Sequence, residues 1–367
     1  MIAIALLFTV ALSEAPDPLL YSGRENQLQV AVPRLEESIE LDGRLDDPAW
    51  TRAVRLTDFS QYSPTDGRPA AQNTEVLVFY SASAIHFGVR AEAPSGSVRA
   101  SLAQRDKLTA EDSITFLLST FNDGRQAVAL TVNPLGVQAD GTLIEGLSQG
   151  GQHGFSGLAT GREVPDLAPD FVFQSKGRLT EQGYEIEVRV PFKSLRYQKA
   201  ETQSWGLHIL RKSQNTGYED SWAPARRDAT SFLAQGGVIE GMHELRPGLV
   251  LDLNPEFTGR ANGAPKTPMG WGYDRDRPEV GGNVRWGVTP NLSLNGTLNP
   301  DFSQVEADAS QIQYDPRNAI FFEEKRPFFL DGLEQFATPN RLIYTRRIAA
   351  PITAAKLTGT LSGTSIG

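Results

Sequence analysis

The chain has 367 residues, more than a single hydrophobic core comfortably serves, so two structural units are expected. Hydrophobic residues make up 40%, and 34 glycines and 23 prolines spread along the chain favour short strands and turns over long helices. A net charge of −9 argues against nucleic acid as a partner, and the absence of cysteine excludes disulfides, thiolate metal sites and cysteine nucleophiles.

Residues 1–15, MIAIALLFTVALSEA, hold an apolar run from Ile2 to Leu12 that ends in the small-x-small pattern Ala11-Leu12-Ser13. It reads as an export signal, and it is far shorter than the roughly 20 apolar residues a membrane helix needs. After a polar stretch, a first unit is expected over residues 28–245. TEVLVFYS and AIHFGVRA are apolar on nearly every position, as inner strands of a sandwich are, and DSITFLLS and QAVALTVN follow across the turn TFNDGR. In GYEIEVRVPF, Tyr184, Ile186, Val188 and Val190 alternate with Glu185, Glu187 and Arg189, which predicts a half-exposed strand. WGLHILRK adds another strand, PFKSLR is a short helical piece, and the Gly-rich GLSQGGQHGFSGLATG reads as an exposed loop. The economical architecture is an antiparallel β-sandwich.

From residue 246 to 367 the pattern changes. GLVLDLNPEFTG and the hairpin GGNVRWGVTPNLSLNGTLNP each carry one apolar and one polar face. In water such a hairpin needs a second layer over its apolar face, as an extension of the sandwich would supply; in an outer membrane, lipid covers it. No segment after the leader is long and apolar enough for a membrane helix, so any spanning part must be built from strands.

Two sets of residues carry a family resemblance. IELDGRLDDPAW, NTEVLVFYSASAIHFGVRA, QRDKLTAEDSITFLLSTFNDGR, TVNPLGVQADG, YEIEVRVPFKSLRY and WGLHILR, in that order, resemble a family 9 carbohydrate-binding-module-like domain. NPDFSQVEAD, FFEEKRPFFLDGLEQF, YTRRI and AAKLTGTLSGTSIG resemble the start of the outer-membrane β-barrel that follows such domains in a bacterial family. The resemblance implies an all-β, exported, outer-membrane protein of a Gram-negative bacterium. Its sandwich would bind a carbohydrate or other envelope ligand without catalysis, and its barrel would contact lipid. Family barrels run several hundred residues further, so residues 246–367 are expected to be the opening of an incomplete barrel. Two alternatives stay open: a role in carbohydrate catabolism with O-glycosyl hydrolase activity, and a ligand-free sandwich acting as plug or scaffold for the barrel.

Family 9 modules clamp a sugar between two tryptophans, which the resemblance places near Thr109 and near Arg226 or Arg227; neither position is aromatic here. Asn133 in TVNPLG matches a polar contact of the pattern, and Asp112 an acid beside the site. Trp222, in YEDSWAPARRD, stands beside a charged loop and is the expected surface aromatic; Arg105 is a further candidate contact, and Trp205 is expected in the core. Asp42, Gly43, Asp46 and Trp50 read as a structural opening motif. His86 and His208 lie in apolar strands and read as core histidines. No catalytic residues and no cofactor are expected. Arg105, Asp106 and Asp112 are candidates to act together; Asp106, Asp112 and the NDG turn offer oxygens to Ca²⁺ without the spacing of a dedicated loop, and adjacent Met242 and His243 cannot clamp a haem iron from opposite faces. The block FFEEKRPFFLDG is either a clasp at the barrel mouth or a short helix or turn plugging its lumen. Asp301, Glu306 and Asp308 of NPDFSQVEAD show no metal or acid–base spacing.

Overall fold

β-branched and aromatic residues at alternating positions, punctuated by Gly, Asn and Asp turns, give strands throughout. The computed structural model describes residues 19–108, 110–146, 162–167, 169–259, 261–267, 270–275, 278–300, 324, 326–336, 342–348, 351–361 and 364–367. The export signal, Thr109, His153 and most of the Gly-rich loop, and NPDFSQVEAD from Asp301 onward lie outside the described residues.

Two sheets pack face to face. In the first, β1 (Leu20–Ser22), β3 (Val54–Thr57), β5 (Thr74–Tyr80), β6 (Ala84–Glu92), β11 (Gly183–Pro191) and β10 (Gln174–Thr180) lie side by side in that order. In the second the order is β2 (Gln29–Ala31), β14 (Gly237–His243), β12 (Thr202–Ser213), β7 (Ser113–Ser119), β8 (Gln126–Val132) and β9 (Gln138–Ile144). There β13 (Tyr218–Ser221) pairs with β12 and with β4 (Ser60–Ser63). Pairing is antiparallel except at two edges, where β1 joins β3 and β2 joins β14 in parallel. Leu20–Ser22 thus belongs to the sandwich, ahead of the expected start at residue 28.

Inward-facing Val76, Val78, Phe87, Val89, Ile186 and Val188 of the first sheet meet Ile114, Phe116, Leu130, Trp205, Leu207 and Ile209 of the second in one core. A second apolar layer covers the first sheet's outer face: Leu45, Ala49, Trp50 and Ala53 pack on Leu77 and Phe79. This layer overturns the half-exposed expectation for β11. Glu187, on the outer face, is fully buried. Its carboxylate accepts from Trp50 Nε1 at 3.1 Å and from the backbone N–H groups of Asp42 and Gly43 at 2.9 and 2.8 Å. The opening motif is structural in this sense: Asp42 and Gly43 cap a buried acid, and Trp50 lies over it. Gly88, opposite Glu187 in the pairing, leaves room for this layer, since a Cβ there would lie 2.6 Å from Leu45 Cδ2.

The remaining strands form a separate five-stranded sheet. Its order is β15 (Leu251–Thr258), β18 (Glu279–Thr289), β19 (Leu292–Leu298), β20 (Thr353–Leu361) and β21 (Thr364–Ile366); among the described residues it is open, not closed into a barrel. A hairpin of β16 (Ala261–Thr267) and β17 (Gly270–Arg275) stands between β15 and β18 in the sequence. The expected turn at Pro290 and Asn291 joins β18 to β19. Among the described residues no helix is long and apolar enough to cross a membrane, which says nothing about strands.

Candidate functional site

Three of the four predicted contact residues gather at one end of the second sheet, where each is consumed by the fold. Asn133 is fully buried; its amide donates to Ser101 O at 2.8 Å and Glu111 Oε2 at 2.5 Å, and its Oδ1 accepts from the N–H groups of Leu135 and Val137. Its oxygen shapes the β8–β9 connection and its amide nitrogen ties that connection to the segment before β7, so all its hydrogen-bonding capacity is used. Asp112 is buried and accepts from the N–H groups of Arg99 and Gln214, pinning two loops. Arg105 is partly exposed and pairs with Asp140, donates to Gln138 Oε1 and Phe171 O at 2.8 Å, and lies 5.8 Å from the centre of the Phe173 ring. Asp106 does not join Arg105 and Asp112 as a trio; its carboxylate accepts from Asp140 N.

Trp222 corrects the surface assignment. It is fully buried in the sandwich core, and its backbone N–H donates to Ile209 O at 3.0 Å. Gly237 exists to admit it: a Cβ there would come within 2.4 Å of the indole. The two acids that precede it, Glu219 and Asp220, are themselves turned inward, while Arg226 and Asp228 beyond it are exposed. Glu219 forms a bidentate pair with Arg162 at 2.9 and 3.0 Å, and Asp220 is buried across from Arg211. Trp205 is in the core, as expected.

Two residues that the sequence reading passed over matter as much. Arg211 is buried at 2% exposure and donates to Asn73 O, Thr74 Oγ1, Gln72 Oε1 and Glu92 O, stitching β12 to the loops that flank β5 and β6. A signal was available: Trp205, Leu207, Ile209 and Arg211 share one face of β12, so the cation continues an inward apolar row. The second is Asp331, described below.

His86 and His208 are buried, and burial pushes both imidazoles down to about 4. The ring of His208 stacks on Phe232 at 4.3 Å with Nε2 2.9 Å from Phe232 O, while Nδ1 is buried without a partner. Protonation would therefore place a charge against apolar neighbours. Because the folded-state value lies below the unfolded one, the stability contributed is complete above pH about 6.5 and is lost as pH falls towards 4. Urea denaturation is expected to show the native chain losing about 2–3 kcal/mol more than His208→Gln between pH 7.5 and 4.5.

The C-terminal sheet has the arrangement with functional character. Cross-strand registers align Leu251, Trp286, Leu294 and Leu357 in one row across four strands, and all four are exposed. Leu253, Phe257, Val280, Val284 and Leu298 extend this outward face. One residue along, Asp252, Arg285, Asn295 and Lys356 form the corresponding row on the opposite face. Here the polar side is the covered one: Ser293, Asn295, Thr297 and Thr358 are all buried.

What covers them is the block after Glu324. A single-turn helix, α1 (Pro327–Leu330), and the following turn Leu333–Phe336 lie on the polar face. Asp331 joins three parts of the molecule. Its carboxylate accepts from Asn295 Nδ2 at 2.6 Å, lies 3.6 Å from Arg285, and pairs at 2.9 Å with Arg196 from the loop after β11. Lys356 Nζ donates to the carbonyls of Phe328 and Asp331. Burial opposes ionisation of Asp331, but the guanidinium groups of Arg196 and Arg285 and the Asn295 N–H prevail and hold it below the usual carboxylate range. Glu324 and Arg326 form a second buried pair at 2.7 Å, braced by Thr345 and by the carbonyls of Thr345 and Ile348, with Arg326 lying 4.1 Å from the centre of the Phe329 ring. Hydrogen bonds from Arg326 and Thr345 outweigh burial and keep Glu324 down at about 2. Of the alternatives left open for FFEEKRPFFLDG, a short helix is formed at Pro327–Leu330, and the ionic groups around it, Glu324, Arg326 and Asp331, are tied to the sheet and to each other. Among the described residues, no group of three or more His, Cys, Asp or Glu side chains is arranged to hold a metal ion.

Comparison with known proteins adds the following. A family described as a domain of unknown function (DUF5916) matches residues 257–362, which include β18, β19, β20 and the cover but less than half of the chain. No curated protein matches the sequence. Among solved structures, a carbohydrate-binding module family 9 from Caldicellulosiruptor kristjanssonii in complex with cellotriose is similar at 14% identity and a TM-score of 0.39, over 58% of this chain and 92% of that one. The same module in complex with glucose gives 14% and 0.38, over 58% and 94%. A protein from Bacteroides uniformis ATCC 8492 gives 10% and 0.43, over 58% and 98%.

Proposed function

We propose that this chain is an outer-membrane protein of a Gram-negative envelope, in which the C-terminal sheet opens a lipid-embedded β-barrel and the sandwich holds a carbohydrate ligand without catalysis. The observation that carries the membrane part is the inverted sheet. Water-soluble sheets bury apolar rows and expose polar ones; here the apolar row is exposed, and on β19 and β20 the polar residues Ser293, Asn295, Thr297 and Thr358 are buried under a compact cover. That inversion is the pattern of a barrel wall, with lipid outside and a polar interior. At eleven and nine residues β18 and β20 have the length of a tilted crossing of the hydrocarbon layer, which takes about 9–11, while β15 and β19 are shorter at eight and seven. An exposed apolar face of this extent is otherwise a liability in water. On this reading α1 and Asp331 narrow the lumen.

A second reading, the sandwich as a scaffold for the barrel, is favoured by one contact. Arg196 reaches from the sandwich to Asp331 in the cover. The two readings are compatible, since a sandwich that steadies the cover is still free to bind a ligand elsewhere.

The membrane part is tested by flotation. Diluted from urea in the presence of phosphatidylcholine vesicles, the chain is expected to float with them on a density gradient, whereas a variant carrying Leu294→Asp and Leu357→Asp is expected to remain at the bottom. Equal behaviour of the two would contradict lipid contact by this face.

A further inference from the structure

The two ends of the C-terminal sheet are built differently. At one end the connections are short: Pro290 and Asn291 join β18 to β19, and residues 362–363 join β20 to β21. At the other end, residues 259–278 lead from β15 to β18 by way of the β16–β17 hairpin, and residues 299–352 lead from β19 to β20 by way of the cover.

Two observations place the sandwich at the end with the short connections. Arg246 N donates to Ala82 O, between β5 and β6, at 2.7 Å, while Val250 O already accepts from Gly287 N of β18 at 2.8 Å. The four steps from Arg246 to Val250 span at most about 14 Å. Gly287 pairs with Ser293 beside the turn at Pro290 and Asn291, so Ala82 of the sandwich lies within that reach of the turn end. The second observation is the ion pair of Arg196 with Asp331 at 2.9 Å. Asp331 accepts from Asn295, the fourth residue of β19 counted from the same turn, about 10 Å along the strand. The sandwich therefore also meets the cover close to this end.

In outer-membrane barrels the short turns face the periplasm and the longer loops face outward. The connection 259–278 has the composition of a water-exposed loop, with Arg260, Lys266, Asp274, Arg275, Asp276 and Arg277. We propose that the sandwich lies on the periplasmic side of the membrane and that the β16–β17 hairpin projects from the outer surface of the cell. The inference rests on the membrane part of the function proposed above and adds its orientation. Its consequence is a choice of partners. The sandwich meets only ligands already inside the envelope, and the part presented to the surroundings is the hairpin, with Trp271 and Tyr273 exposed on β17.

The test is labelling of intact Gram-negative cells that export the full chain, with single cysteines introduced into a sequence that has none. The probe is a maleimide on a polyethylene glycol chain too bulky to cross the outer membrane. Thr267→Cys, in the hairpin, is expected to react in intact cells. Asn215→Cys and Glu181→Cys in the sandwich, and Thr289→Cys at the short-turn end, are expected to react about tenfold more slowly or not at all until the outer membrane is permeabilised. All four positions are exposed, so burial does not produce the contrast. Proteinase K added to intact cells should cut the unsubstituted chain within residues 259–278 and leave the sandwich whole, which checks the result without any substitution. Reaction of any of the last three cysteines in intact cells, or failure of Thr267→Cys to react in a chain that sediments with the outer membrane, would overturn the orientation while leaving the barrel in place. Absence of the chain from the outer-membrane fraction would instead overturn the membrane reading, and the orientation with it.

Discussion

Replacing Trp222 with alanine is expected to destabilise the sandwich by about 3–5 kcal/mol, measured by urea denaturation at neutral pH. The indole is fully buried between strands that bring Val30, Leu207, Ile209 and Ile239 into the same core, and its place is shaped by Gly237. Truncation leaves a cavity that the surrounding strands cannot collapse into without breaking their ladders, so both the transfer term and the cavity term apply. A surface tryptophan stacking on a sugar would behave oppositely, with stability nearly unchanged and ligand affinity lost. Any binding defect of Trp222→Ala should therefore track unfolding and disappear when the variant is assayed well below its melting temperature.

Leu294→Arg is the second large effect, and its size depends on the solvent. In water the substitution falls at an exposed position on a sheet surface, where most changes stay within about 0.5 kcal/mol. Facing hydrocarbon near the middle of a barrel strand, an arginine costs about 2–4 kcal/mol. Folding titrations of the native chain and the variant, run once in detergent-free buffer and once with phosphatidylcholine vesicles, should give a difference only in the second series. Asn295→Ala supplies the complementary case. Its side chain is buried on the polar face and donates to Asp331, so its loss should destabilise the cover in either solvent.

Much of the strand order was legible because alternation reports directly which residues share a face. β5 and β6 read as inner strands and are so, β7 and β8 follow across their turn as read, and the β18–β19 hairpin with its turn at Pro290 and Asn291 stands where the pattern put it. Alternation does not report how many layers lie on a face. Glu187 was assigned to solvent because it alternates with Ile186 and Val188; a separate segment, Leu45 to Ala53, covers that outer face and buries it. Such a cover is non-local, and nothing in the nine residues of β11 announces it. Trp222 was misplaced for the same reason. Its acidic neighbours suggested a polar surface, yet Glu219 is neutralised by Arg162, 57 residues away in the chain. Asn133 and Asp112 were singled out by resemblance, and the geometry shows both fully occupied within the fold.

The two faces of the C-terminal sheet were legible, but which of them is covered was not. Only the placement of α1 and Asp331 on the polar side separates a barrel wall from an ordinary sandwich layer. The measurement that tests this most directly uses the absence of cysteine from the chain. Single cysteines placed in turn at Trp286, Leu294 and Leu357, and at Arg285, Asn295 and Lys356, can each carry a fluorophore in vesicles containing brominated acyl chains. The account predicts strong quenching by bromine at the first three positions and little at the second three, with aqueous iodide giving no more than weak quenching at the first three. Quenching by iodide at Leu294 and Trp286, or bromine quenching without alternation along β18 and β19, would contradict it.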